Sequence, residues 1–282
     1  MLSTARIMAS FTAAALAVSS LAYGQWVDYK VVGIPRTSDG KPNLSAPVPR
    51  LNGKPDFSGI WQTDAAPEGW VDKTIPGMRL LAVPGDDPAM LSKYFLNVLA
   101  DYGPDEIQLT PEAQKLMAQA RTSVPGGVRC LPSGYPMSEF VPLPHRYIQT
   151  GYVLAVLYEG DLPRQIHLDG RPLPTGPQPA WRGYSVGKWD GDTLVVETIG
   201  LDPRAPLDAF NHPKSLSTRI VERMTRRDYG HIDVQITITD PTYYSKPITF
   251  QSTKTLVPDS DLLEYICNEN EKDLTHIAPP QR

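Results

Sequence analysis

Residues 231–239 constrain this chain more than any other stretch. Ile232, Val234, Ile236 and Ile238 alternate with Asp233, Gln235, Thr237 and Thr239. A period of two belongs to a strand with one face in a core and the other in water. Residues 219–227 precede it across Asp228-Tyr-Gly, a hairpin connection. Residues 181–188 and 193–199 flank Trp189-Asp-Gly-Asp, and Asp-Gly is a strong hairpin signal. Residues 57–63, 147–159, 164–168, 248–257 and 262–266 read as further strands. About nine or ten antiparallel strands in sequential hairpins form a long meander, and closing it into a barrel removes its edges. The fold expected is mainly β, an antiparallel barrel of about eight to ten strands with room for its own side chains and one small ligand. An open sheet or a sandwich is the alternative.

Proline limits what else the chain can hold. There are 29 prolines in 282 residues, roughly twice average usage, so long helices are not expected. Two short ones are. Residues 87–101 carry helical apolar spacing, with Asp87 as N-cap and Pro88 at the first helical position. A second helix starts at Thr110 and runs to about Arg121. Residues 25–56 form a proline-rich lead-in with an internal echo, Asp39-Gly-Lys-Pro-Asn-Leu-Ser45 and Asn52-Gly-Lys-Pro-Asp-Phe-Ser58, both of turn chemistry. A single barrel domain is expected over 57–267, with the helical insertion near 87–121 and a loose polar tail over 268–282. The formal charge of −4 gives no electrostatic reason to bind nucleic acid.

The first 24 residues read as a signal peptide. Arg6 is their only charge, an apolar run covers 7–21, and Ala22 and Gly24 are small residues at cleavage spacing. The run is too short to span a bilayer comfortably. Cleavage after Gly24 would leave Gln25 first in a periplasmic or secreted chain with no membrane insertion. Cys130 and Cys267 are the two cysteines, and an oxidising compartment favours pairing them; two buried free thiols are the alternative. No CxxC and no zinc spacing occurs, so no metal and no cofactor is expected.

Gly59-Ile-Trp61, opening the first strand, resembles the Gly-x-Trp signature of lipocalin-like barrels, and Arg223 is similar to the arginine that packs near that Trp. A second resemblance covers most of residues 50–270. The blocks Gly53-Lys-Pro-Asp-Phe-Ser-Gly-Ile-Trp61, Cys130-Leu-Pro-Ser-Gly134, Leu168-Asp-Gly-Arg-Pro172, the run from Gly183 through Trp189-Asp-Gly-Asp to Thr198, Glu222-Arg223 and Leu263-Glu-Tyr-Ile-Cys267 look like a family of secreted bacterial proteins without established activity. Family members commonly continue the last block with Cys-His-Glu-Gly, whereas this chain reads Cys267-Asn-Glu-Asn270. Pro206-Leu-Asp208 stands where the family has Trp-Leu-Asp. The resemblance implies export, the cysteine pair and a barrel, and no chemistry.

Several residues are candidates for a site. Asp169 and Arg171, two apart in a tight loop, could bind or protonate a ligand at a barrel mouth; an Asp-Gly turn with its own salt bridge looks the same. Asp208, Asn211 and His212 share a proline-bounded loop, where His212 could act as general base or sit solvated, so that His212→Ala leaves folding intact. Glu197, Glu222 and Arg223 lie on strands. Neighbours face opposite sides, so only one of Glu222 and Arg223 can point into a lumen; an exterior ion pair is the other reading. Trp181, Tyr184 and Trp189 could stack on an apolar ligand or form core. His145, His167 and His231 are scattered and individually uninformative. No phosphate loop and no HExxH occurs, and no serine is read as sitting in a nucleophile elbow.

The leading expectation is a lipocalin-like protein that binds a small apolar or aromatic molecule in the barrel, with Asp169, Arg171, Glu222 and Trp181 as its polar and stacking groups. One alternative is a cofactor-independent hydrolase, lyase or isomerase. In it His212 is the base, Asp208 orients it, Asp169 is the acid and Arg171 steadies an oxyanion. Another is an envelope interaction protein whose barrel is filled. A polar, pKa-perturbed interior favours the enzyme, an empty apolar one the binder, and a filled one the third class.

Overall fold

A computed structural model describes residues 30–74, 91–103, 105–120, 130–264 and 266. Residues 1–24 with the expected signal peptide, residues 87–90 of the expected first helix, Cys267 and the tail lie outside the described residues. The lead-in holds a two-stranded hairpin, β1 (Arg50–Leu51) and β2 (Lys54–Pro55). Its turn is Asn52-Gly53, with φ 52 and 80. Two consecutive left-handed residues make a type I′ turn, the form that suits Asn-Gly. The first copy of the echo also turns, bridging Arg36 to Pro42.

Nine further strands close a barrel: β3 (Gly59–Thr63), β4 (His145–Gln149), β5 (Val153–Tyr158), β6 (Asp161–His167), β7 (Tyr184–Asp190), β8 (Thr193–Ile199), β9 (Arg219–Arg226), β10 (His231–Thr239) and β11 (Ile248–Leu256). The order around the ring is β10-β11-β3-β4-β5-β6-β7-β8-β9. The expected barrel is therefore present, with one difference. The seam between β6 and β7 is parallel, pairing only Ile166 with Ser185 and His167 with Val186. Residues 168–183 must then run back along the outside of the wall, because parallel neighbours need a crossover.

The hairpins at Asp-Gly and Asp228-Tyr-Gly form where expected. Residues 147–159 hold two strands rather than one. The Thr150 hydroxyl accepts from the Tyr152 and Val153 backbone at 3.2 and 3.1 Å and turns the chain. The described part of 262–266 carries no strand. Helix α1 (Trp70–Thr74) falls where no element is expected from the sequence. Helix α2 (Lys93–Leu96) is capped by Ser92 and stops at Asn97, whose backbone is extended at φ −151. Helix α3 (Pro111–Ala120) follows Thr110, whose hydroxyl accepts from Ala113 at 3.3 Å. No helix among the described residues is long and apolar enough to cross a membrane.

The barrel has two different ends. At one, the lead-in straps the hairpin turns: Arg50 pairs with Asp192 at 2.5 Å, and Tyr229 and Gly230 donate to Ala46 and Leu44 carbonyls at 2.8 and 2.7 Å. At the other lie α2, a 3-10 turn over Met137–Glu139, and the loop 200–218. Alternate residues fill the interior: Trp61, Leu154, Val156, Ile166, Leu194, Val196, Ile220, Met224 and Ile232 are buried. Gly59 is required beside Trp61. Its φ is 146, and a Cβ there would meet Leu256 Cδ1 at 2.7 Å and the indole nitrogen at 3.3 Å.

Candidate functional site

At the lead-in end a guanidinium lies over Trp61, and it belongs to Arg226 rather than Arg223. Inward positions on β9 are even-numbered, Ile220, Glu222, Met224 and Arg226. The Arg226 guanidinium carbon is 4.8 Å from the Trp61 ring and 5.1 Å from Tyr229. Its N–H groups donate to the backbone carbonyls of Asp56, Tyr229 and Asp228. No carboxylate stands within ion-pair distance of it among the described residues. Burial lowers its pKa to about 10, against the pull of Asp56, Tyr229 and Asp228. Arg223 faces outward and pairs with Asp190 at 2.8 Å.

Arg226 also lines a groove of about 430 Å³. Val31, Ile34, Ile60, Ile148 and Leu256 make most of its wall apolar, and Arg146 and Asp56 stand at its edge. The strap residues over it are anchored by Asp259, which accepts from Val31 N at 3.0 Å and from Arg36 at 2.5 Å.

The middle and helix end of the lumen hold a charge network. Arg164, on β6, donates to Glu222 on β9 at 2.5 Å, to Thr198 at 2.9 Å and to Ser185 at 3.3 Å. Its plane covers Tyr135 at 3.8 Å. Glu139 enters from the 3-10 turn. It accepts from the Tyr158 and Tyr147 hydroxyls and lies 2.9 Å from Lys254 and 3.8 Å from Arg164. All these side chains are buried. Burial alone would raise the Glu139 pKa; Lys254, His145, Arg164 and the Tyr158 hydroxyl outweigh it and hold the carboxyl well below its usual range. Burial and the Lys254 charge push the His145 imidazole down to about 3, so it is neutral at pH 7 and its 3.9 Å approach to Glu139 is not an ion pair. Packed side chains thus occupy the middle and helix end of the lumen, and there Arg164 is answered by Glu222 and Lys254 by Glu139.

The residues expected to form a site are not brought together. Asp169 and Arg171 form a bidentate pair at 2.9 and 2.5 Å on the exposed outer crossover, with Arg171 also reaching the Tyr184 hydroxyl at 3.2 Å. Tyr184 packs on His167 outside the barrel. Glu197 pairs with Arg219 on the exterior, and Trp181 lies under Arg204 at 4.6 Å. Glu222 faces the lumen, where Arg164 answers it. Asp208 and His212 do form a pair, at 2.6 Å between Oδ2 and Nδ1. The same carboxylate accepts from Val98 N at 2.7 Å and His212 N at 3.1 Å, so it ties two loops together. His212 is 5% exposed, which overturns the expectation of a solvated side chain. Asn211 adopts φ 63 in the turn between them.

The network residues that sequence reasoning misses are Glu139, Arg164, Lys254 and Arg226. Three carried a signal. Arg164 shares parity with Ile166, and Lys254 with Leu256, so both stand at inward positions; Arg226 shares parity with Ile220 and Met224. Glu139 sits in an irregular segment without periodicity. No protein-family model, no curated protein and no solved structure matches the chain.

Proposed function

We propose that the chain is an exported binding protein for a small, mostly apolar molecule with one acidic head group, held in the groove at the lead-in end. The observation that carries this is Arg226, a buried cation held by backbone carbonyls and two aromatic rings with no carboxylate in ion-pair range among the described residues, set in an apolar groove of about 430 Å³. Pockets of ~300–1,000 Å³ with apolar walls and a few polar groups are typical of small-molecule sites. Three of the five guanidinium donors of Arg226 are used, leaving donors for a carboxylate. The occupied lumen turns the reading from the barrel interior to this groove, and it also supports the remaining alternative, an envelope interaction protein. Cleavage after Gly24 and a Cys130–Cys267 disulfide belong to the same proposal. Calorimetric titration with decanoate, decanol and decyltrimethylammonium tests it. Decanoate alone should saturate, and Arg146→Ala and Ile148→Asp should weaken it at least tenfold. Equal binding of all three, or decanoate binding indifferent to both substitutions, would refute it.

A second reading, a cofactor-independent hydrolase, lyase or isomerase, is supported by the Asp208–His212 contact, in which the carboxylate would orient the base. Asp169 and Arg171 have no part in it, because they stand on the outer crossover.

A further inference from the structure

Near the turn between β5 and β6 a separate cavity of about 130 Å³ opens beside the charge network. It is lined by Ser138, His145, Tyr158, Glu159 and Asp161, among others. His145 is fully buried and Ser138 is 1% exposed, yet among the described residues neither imidazole nitrogen nor the Ser138 hydroxyl has a partner at hydrogen-bond geometry, the imidazole being approached only loosely by the Ser138 backbone. Buried polar groups are almost always satisfied, so three unanswered atoms on one cavity need a reason. The other lining groups are committed. The Tyr158 hydroxyl donates to Glu139, and Asp161 accepts from Ser133 N and Leu162 N at 3.1 and 2.7 Å and lies 2.8 Å from Arg182. Glu159 accepts from Leu263 N at 2.7 Å.

We propose that this chamber is a binding site for a small neutral molecule that both donates and accepts hydrogen bonds, such as a short carboxamide, recognised by His145 and Ser138. Size sets the first limit. At roughly 30 Å³ per water the cavity holds about four waters' volume, or one molecule of four or five heavy atoms. Charge sets the second. An anion would face Glu159 and Asp161 on the wall; a cation would find Asp161 already answered by Arg182 and Glu159 by the Leu263 N–H, with the Lys254 and Arg182 charges already acting on His145 from behind the wall. A neutral imidazole offers one donor and one acceptor, and a serine hydroxyl offers either. An amide group, with N–H and C=O side by side, answers both. The site is independent of the groove at the lead-in end.

The test is NMR of the histidine rings in the full mature protein, with His145→Phe used to assign the His145 signals. Acetamide, methylammonium and acetate are the probes. Acetamide should shift the His145 ring signals saturably, with a dissociation constant on the order of millimolar, as expected for so few atoms. Methylammonium and acetate should not. Leu143→Trp, a partly exposed lining position, should fold by circular dichroism and abolish the acetamide shift by filling the mouth. The proposal is overturned by the absence of a saturable acetamide shift, by saturation with either ion, or by an acetamide shift that survives Leu143→Trp in the folded variant.

Discussion

Arg164 meets Glu222 at 2.5 Å although their strands, β6 and β9, are not neighbours in the sheet. On the way its guanidinium donates to Ser185 on β7 and Thr198 on β8. One side chain therefore ties four successive strands from inside. It also reinforces the β6–β7 seam, which has the fewest paired residues of the ring.

Removing Arg164 alone should be costly. Arg164→Met leaves Glu222 buried without its partner, and breaking such a pair typically costs about 3–5 kcal/mol. Arg164→Met with Glu222→Leu should recover part of that loss, since no lone charge remains. Urea unfolding of Arg164→Met, Glu222→Leu and the double variant measures it. A double variant as unstable as the sum of the singles would show that the pair does not act as a unit.

Arg226→Lys should not be a conservative change. Lysine cannot hold three carbonyls in one plane or cover Trp61. A loss of about 2–3 kcal/mol is expected from hydrogen bonds to a charged group and from the ring contact. A thermal unfolding curve unchanged within error would remove Arg226 from the closure of that end.

His145 gives the barrel an acid sensitivity. Its folded pKa of about 3 lies below the ordinary 6.5. The unfolded chain therefore binds the extra proton first, and stability falls as pH drops from 6.5 toward 3. Between pH 7 and pH 5 this amounts to about 2 kcal/mol. Glu139, held low, adds its own loss only as pH falls through the ordinary carboxyl range near 4.5. His145→Phe should flatten the profile between pH 7 and pH 5 and leave the steeper fall below it. Identical profiles for the two proteins would contradict a neutral buried imidazole.

His212→Ala should lower stability by about 1–3 kcal/mol, because it leaves the buried Asp208 carboxylate one partner short. Asp208→Asn should do similarly, with the loops 97–102 and 207–212 exchanging amide hydrogens faster. Amide exchange unchanged at Val98 would show that the carboxylate does not staple the loops.

Thiol titration of denatured, non-reduced protein recovered from an oxidising compartment should find no free cysteine. The closed loop, 267 − 130 = 137 residues, contributes on the order of 4–5 kcal/mol in the chain-entropy account. Two titratable thiols would dispose of the disulfide.

The barrel was legible because its signals are local. Alternation over 231–239 and the Asp-Gly and Asp228-Tyr-Gly turns each specify a strand pair without help from the rest of the chain. The split of 147–159 was hidden, because Tyr147, Ile148, Val153 and Leu154 keep the run apolar across a turn made by one threonine hydroxyl. The lumen network was half legible. Charged residues at inward parity, Arg164 and Lys254, mark a polar interior, but which acid meets them depends on Glu139, delivered by a 3-10 turn from outside the strand pattern. The Asp208–His212 contact was visible as spacing, while its burial depended on α2 and the Val98 backbone arriving from over a hundred residues away.

A ring of strands obeys parity. Each antiparallel seam reverses the chain's direction, so a ring built only of such seams must hold an even number of strands. Nine can close only with an odd number of parallel seams, and this barrel uses one. Residues 168–183 are the return path that this single reversal-free step demands. The Asp169–Arg171 pair, which in the sequence looks like chemistry, thus lies on a route imposed by arithmetic, a strap tied to the wall by the Ala180–Leu201 bridge and by Arg171 reaching the Tyr184 hydroxyl.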